Sequence, residues 1–144
     1  MDYRGVQMKV LHTSDIHLQA LEDPRRQALK RITSTCDERD VDLLIISGDL
    51  FDSSANAEDL RPHLRELLSG GSFETVIIPG NHDHASFRPG LYLGKRVNVL
   101  NDPDWRQNLL DYGDFQLVGV PFQQLDATDT ARRLREPARA LEST

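Results

Sequence analysis

Three apolar runs in this chain each end directly in a polar cluster, and that repetition limits the folds open to it. Met8 to Thr13 (MKVLHT) leads into Ser14-Asp15-Ile16-His17. Val41 to Ser47 (VDLLIIS) leads into Gly48-Asp49-Leu50-Phe51-Asp52, and Glu74 to Pro79 (ETVIIP) into Gly80-Asn81-His82-Asp83. The second run is continuous rather than alternating, the pattern of a strand covered on both faces in a parallel or mixed sheet. Between the first two runs, Pro24 to Asp37 carries Ala28, Leu29 and Ile32 at helical spacing, with Arg25, Arg26, Lys30 and Arg31 on the other side. Pro24 suits a first helical turn. A second helix is expected over Ala57 to Leu68, closed by Gly70-Gly71. Pro62 inside it requires either a start nearby or a bend.

Strand, helix, strand, helix, strand is an α/β order with right-handed crossovers and parallel neighbours. Val97 to Leu100 and Phe115 to Val120 read as weaker strands, separated by a polar loop with Asn101, Asp102 and Pro103. Thr128 to Leu141 reads as a helix interrupted at Pro137. A ligand site is expected at the carboxyl ends of the parallel strands.

Parallel strands set their carboxyl ends side by side, so the three clusters should converge on one patch holding Asp15, His17, Asp49, Asn81 and His82. Carboxylate, imidazole and amide oxygen donors suit borderline-to-hard divalent metals such as manganese, iron or zinc. Alternation along an extended segment would put Asp15 and His17 on one side, where both reach one ion. Asp49, from the next strand, can bridge two ions. Gly48 and Gly80 leave room for close backbone approach. Paired metals clamp the attacking and leaving oxygens of a phosphate ester and acidify water, and a histidine protonates the leaving oxygen. His82 suits that role, with Asp83 orienting its ring. Asp-x-His alone is common by chance, and Gly-Asp or Asn-His-Asp alone reads equally as a turn. Three such clusters at successive strand ends do not.

With 144 residues, 38% hydrophobic and 28% charged, the chain has the balance of one soluble globular domain. It has no apolar run of membrane-spanning length and no secretion-like amino terminus. The single cysteine, Cys36, suits a reducing, cytoplasmic setting. A net charge of −6 argues against a chain coated in nucleic acid, but two bound cations would reverse the local field. His12 reads as a packed or hydrogen-bonded strand residue, His63 as surface, and His84 as a solvated loop residue. Cys36 reads as helix packing and Trp105 and Tyr112 as core or rim. The Arg132, Arg133, Arg135, Arg139 group reads as a solvated helix face before a phosphate contact.

On these residues the chain resembles the calcineurin-like metallophosphoesterase superfamily, whose opening pattern is Asp-x-His, Gly-Asp-x-x-Asp and Gly-Asn-His-Asp/Glu. LHTSDIHL, VDLLIISGDLFD, VIIPGNHD and FQLVGVPF are closer to the DNA double-strand-break repair exonucleases, the SbcD-type nuclease subunits. The resemblance spans about residues 8 to 122. It implies a two-sheet sandwich flanked by helices, of which residues 1–144 supply the first half, with no capping domain. It implies that Asp15 and His17 bind one metal, Asp49 bridges both and Asn81 binds the second. His82 is then the catalytic histidine, supported by Asp83. It further implies manganese, DNA as substrate, an SMC-like ABC ATPase partner and a homodimer. Gln19 stands where that branch has glycine. The family completes its site with later histidines, including Gly-His-x-His, and no histidine follows His84 here.

Two other functions fit the motifs. One is phosphoesterase action on a small or protein substrate. The other, of a different class, is a non-catalytic binding or dimerisation module derived from the fold.

Overall fold

The computed structural model describes residues 7–53 and 55–142. The apolar runs form a four-stranded parallel sheet of β1 (Val10–Thr13), β2 (Leu43–Ser47), β3 (Glu74–Ile78) and β4 (Val97–Val99), in that spatial order. Thr13 pairs with Ile46 and Ser47 with Ile78. The first three strands therefore run out level with one another, and the polar clusters emerge along one edge.

Two helices fill the crossovers, α1 (Pro24–Glu38) and α2 (Ala57–Ser69). Asp23 caps α1, its carboxylate accepting the N–H of Arg25 at 2.9 Å, and Pro24 occupies the first turn. At the other end Val41 N–H bonds to Cys36 O and Asp40 N–H to Asp37 O, the double bond of a Schellman ending. Asp40 takes the left-handed conformation that this ending needs, with φ 52°.

Side chains alternate across a strand. Leu44 and Ile46 of β2 therefore face the helices, where Leu29 and Cys36 of α1 and Leu60, Leu64 and Leu68 of α2 complete one core cluster. Leu43 and Ile45 face the other way, into a cluster with Val76, Leu100 and Tyr112. That second face is covered by a hairpin of β5 (Leu109–Asp111) and β6 (Gln116–Val118), joined antiparallel. Each fully buried Leu or Ile contributes about 1.5–3 kcal/mol, so a strand with two covered faces gains on both. The chain is thus α/β, with α1 and α2 on one face of a parallel sheet and a small second sheet on the other.

Several details differ from what the sequence suggests. β1 begins at Val10, which is 46% exposed, and not at Met8. β5 lies outside the strands expected, because three residues carry no readable period and gain their form by pairing with β6. α2 neither starts at Pro62 nor stops there. Asn56 caps its first turn by accepting Glu58 N–H at 3.2 Å, and the proline ring points outward. The last helix, α3 (Ala127–Glu142), is not interrupted at Pro137. A proline removes one helical hydrogen bond, and here its ring is buried against the fold. Cys36 is fully buried, as expected of packing material, and His63 is half-buried on α2. No helix among the described residues is long and apolar enough to cross a membrane.

Candidate metal centre

The loop after β1 and the loop after β2 are stitched together by their backbones. Asp15 N–H bonds to Gly48 O at 3.0 Å, His17 N–H to Asp49 O at 2.9 Å and Leu18 N–H to Leu50 O at 2.9 Å. Between these bonds the backbone is not extended, so Asp15 and His17 do not meet through the strand alternation expected of them. Asp15, His17 and Asp49 all lie in the left-handed region, with φ of 55°, 53° and 54°. An L-residue enters that region at a cost of about 1–2 kcal/mol, and such strain gathers where a site requires it. Ile16 and Leu18, between and after the polar residues, are buried in the helix-side core and anchor the loop.

The outcome is convergence. One ligand atom from each of Asp15, His17 and Asp49 lies within 4.8 Å of the other two. His17 Nε2 stands 3.9 Å from Asp15 Oδ1 and 3.8 Å from Asp49 Oδ2. Asp49 is 8% exposed at its side chain and Asp15 68%, so the group opens from the interior to solvent. Among the described residues, no lysine or arginine pairs with Asp15 or Asp49. Two carboxylates brought together with one imidazole, and no protein cation, fit a divalent metal ion, the donor set being oxygen and nitrogen without sulfur.

The third loop joins through Asp49. Its Oδ1 accepts the backbone N–H of His82 at 3.0 Å, which leaves Oδ2 facing His17. The His82 ring stands edge-on to the His17 ring, with centroids 5.1 Å apart. Asn81 lines the same cavity of about 480 Å³ as Asp15, Gly48, Asp49 and Gly80. A Cβ at Gly80 would stand 2.2 Å from Asp49 Oδ1, so only glycine lets the third loop pass this carboxylate.

Asp83 is placed differently from the expectation. Its carboxylate does not orient the His82 ring. It is fully buried and accepts Gly80 N–H at 2.7 Å and Phe51 N–H at 3.2 Å, tying the second loop to the third. Burial pushes its pKa above the usual carboxylate value, against the pull of the Gly80 and Phe51 amides.

Asp52 stands outside the ligand set expected from the sequence. Its Oδ2 lies 3.7 Å from His17 Nδ1, on the opposite side of the ring from the two other carboxylates. A carboxylate behind a ligating imidazole fixes its orientation, and the available signal is the last position of Gly-Asp-x-x-Asp. Arg25, by sequence a helix surface residue, donates from its guanidinium to His17 O at 2.8 Å and ties the strained loop to α1. Val118, Val120, Phe122 and Leu134 reach the cavity from late in the chain; the sequence marks the first three within FQLVGVPF, but nothing local marks them as part of the site. His12 is exposed on β1 and hydrogen-bonded to Ser47, away from the ligand group.

Residues 8–139 match the family model described as calcineurin-like phosphoesterase. The chain is 32% identical over 127 residues to a protein of Staphylococcus epidermidis named as a subunit of the nuclease SbcCD. That match covers 80% of this chain and 33% of the relative, so the chain spans about a third of the relative's length. No solved structure gives a significant match.

Proposed function

Because the chain belongs to the calcineurin-like phosphoesterase family, we propose that it is a metal-dependent phosphodiesterase acting on DNA as a nuclease, through a two-cation site that these residues supply in part. The observation that carries this reading is the meeting of Asp15, His17 and Asp49 within 4.8 Å. Asp15 and His17 would hold the first cation, Asp49 would be shared by both, and Asn81 would contribute to the second. When bound, such cations polarise a phosphoryl oxygen and acidify the attacking water. Manganese is the proposed metal, with iron and zinc accommodated by the same donors. His82 delivers a proton to the leaving oxygen, from a loop held in place by Asp49 and Asp83.

DNA repair, and action beside an SMC-like ABC ATPase subunit or as a homodimer, extend the reading. The name of the bacterial relative, one subunit of a nuclease, supports nuclease action beside another subunit. No histidine after His84 is present in the sequence to complete the second cation's ligands. The chain alone should therefore bind manganese at its first position and turn over slowly.

Calorimetric titration with manganese tests the site, and hydrolysis of bis-p-nitrophenyl phosphate and linear DNA tests the chemistry. Manganese binding that disappears in Asp15→Ala and Asp49→Ala is expected, with weak hydrolysis lost in the same variants. A chain that binds no divalent cation overturns the proposal. Salt-sensitive DNA binding separates a nuclease from an esterase for small or protein substrates.

A further inference from the structure

The cavity beside the acidic group has two unlike kinds of lining. Asp15, Asp49 and Asn81 supply its polar lining; Val118, Val120, Phe122 and Leu134 supply apolar lining. Among the described residues, no lysine or arginine lines it. A phosphate ester that brings its phosphorus to the acidic residues has the apolar lining beside it for the rest of itself. That lining must then supply binding energy without ion pairing.

Phe122 is the aromatic residue there. It is 40% exposed although it lines a cavity, so its ring has surface left to bury. It is also fixed relative to the proposed metal ligands. Its backbone N–H bonds to Pro79 O at 3.1 Å, just before the third motif. Its ring packs against that of His84, with centroids 5.5 Å apart and planes tilted by 47°. His84 is anchored in turn, its Nδ1 3.1 Å from Asn81 O and its N–H on Gly80 O at 3.1 Å. Ring, imidazole and Asn81 therefore form one connected piece. An aromatic face held ready in this way loses little entropy when a flat group stacks on it.

We infer that Phe122, backed by His84, is a stacking ledge for the base of the nucleotide whose phosphate reaches the acidic residues. The inference rests on the phosphodiesterase reading above and deepens it to a nucleotide-recognising residue. An aliphatic substituent would touch Val118, Val120 and Leu134 equally well but would gain nothing from a π face. A base gains stacking whatever its identity, so the ledge favours nucleotides without selecting sequence.

The test compares 2-aminopurine riboside 5′-monophosphate with ribose 5-phosphate, each titrated into the manganese-loaded chain. Tighter binding of the nucleotide is expected, with its fluorescence quenched by stacking. Phe122→Leu keeps the apolar surface but removes the π face. It should weaken nucleotide binding about 10-fold and restore the fluorescence, while ribose 5-phosphate and manganese bind as before. His84→Ala, which leaves the Phe122 ring but not its support, should give a smaller loss in the same direction. Equal affinity for the two ligands, no nucleotide binding, or an unaltered Phe122→Leu variant overturns the ledge. If manganese itself does not bind, the phosphodiesterase reading fails with it; if manganese binds and the base preference is missing, only the ledge fails.

Discussion

The carboxylate of Asp49 accepts the backbone N–H of His82 at 3.0 Å, so a single side chain on the second loop sets the position of the third. The same side chain presents its other oxygen to His17 at 3.8 Å. Asparagine and alanine should therefore separate its two duties. Asp49→Asn keeps an oxygen for the His82 amide and removes the charge. It should lower manganese affinity by more than about 100-fold, since loss of an outer partner alone costs about 10–100-fold. The His82 amide resonance should stay near its native position in Asp49→Asn and move in Asp49→Ala. Manganese binding by Asp49→Asn equal to that of the native chain would remove Asp49 from the ligand set.

Gly80→Ala should be among the most disruptive small substitutions. The added methyl would stand 2.2 Å from Asp49 Oδ1 and 2.7 Å from Asp49 N, and the latter is backbone that cannot swing aside. Overpacking of this kind costs about 1–3 kcal/mol. Urea denaturation should show that loss, and calorimetry a matching loss of manganese binding.

Asp52→Asn tests the carboxylate behind His17. The 3.7 Å approach to Nδ1 favours the ring orientation that aims Nε2 at Asp15 and Asp49. Manganese affinity should fall by about 10–100-fold with the unfolding midpoint little changed. The ¹⁵N shifts of the His17 ring should reveal an altered proton distribution, which a purely structural role would not produce.

Asp83→Ala should destabilise the fold more than it affects any proton transfer. It would leave the N–H groups of Gly80 and Phe51 without their acceptor in a buried place. Each such group costs about 1–3 kcal/mol. A chain of native stability would contradict the placement of this carboxylate.

Asp23 supplies a pH dependence whose sign can be worked out. The backbone N–H of Arg25 holds its pKa below the ordinary value of 3.8. A group with a lowered folded value stabilises the fold above its unfolded value and loses that contribution as pH falls through the folded one. Asp23→Ala should therefore cost about 1 kcal/mol at neutral pH, with the difference from the native chain shrinking below 3.8. A gap that stays constant into acid would mean that the cap is not acting through its charge.

Much of the fold is legible in the sequence because its signals are local. The unbroken apolar run of β2 announces two covered faces, and Leu44 and Leu43 go to opposite cores as that requires. The order of strands and helices implies a parallel sheet with its polar clusters at one edge. β5 is not legible, since Leu109–Asp111 is too short to carry a period of its own. Pro137 misleads because a proline's effect on a helix depends on what surrounds its ring.

In the site, residue type is legible and direction is not. Asp15, His17 and Asp49 stand out as donors, but nothing local announces their shared left-handed backbone. It depends on hydrogen bonds between loops far apart in sequence, such as Asp15 N–H to Gly48 O. Asp83 looks like a partner for its neighbour His82 and instead holds Phe51 and Gly80.

The sequence by itself determined which chemical groups stand at the ends of three strands, because strand periodicity and loop composition are properties of neighbouring residues. Only the tertiary structure decided which oxygen faces which nitrogen, which carboxylate turns inward, and that Phe122 walls the acidic cavity. Those choices are made by strand register and by contacts between distant segments, whose free energies no local stretch of chain carries.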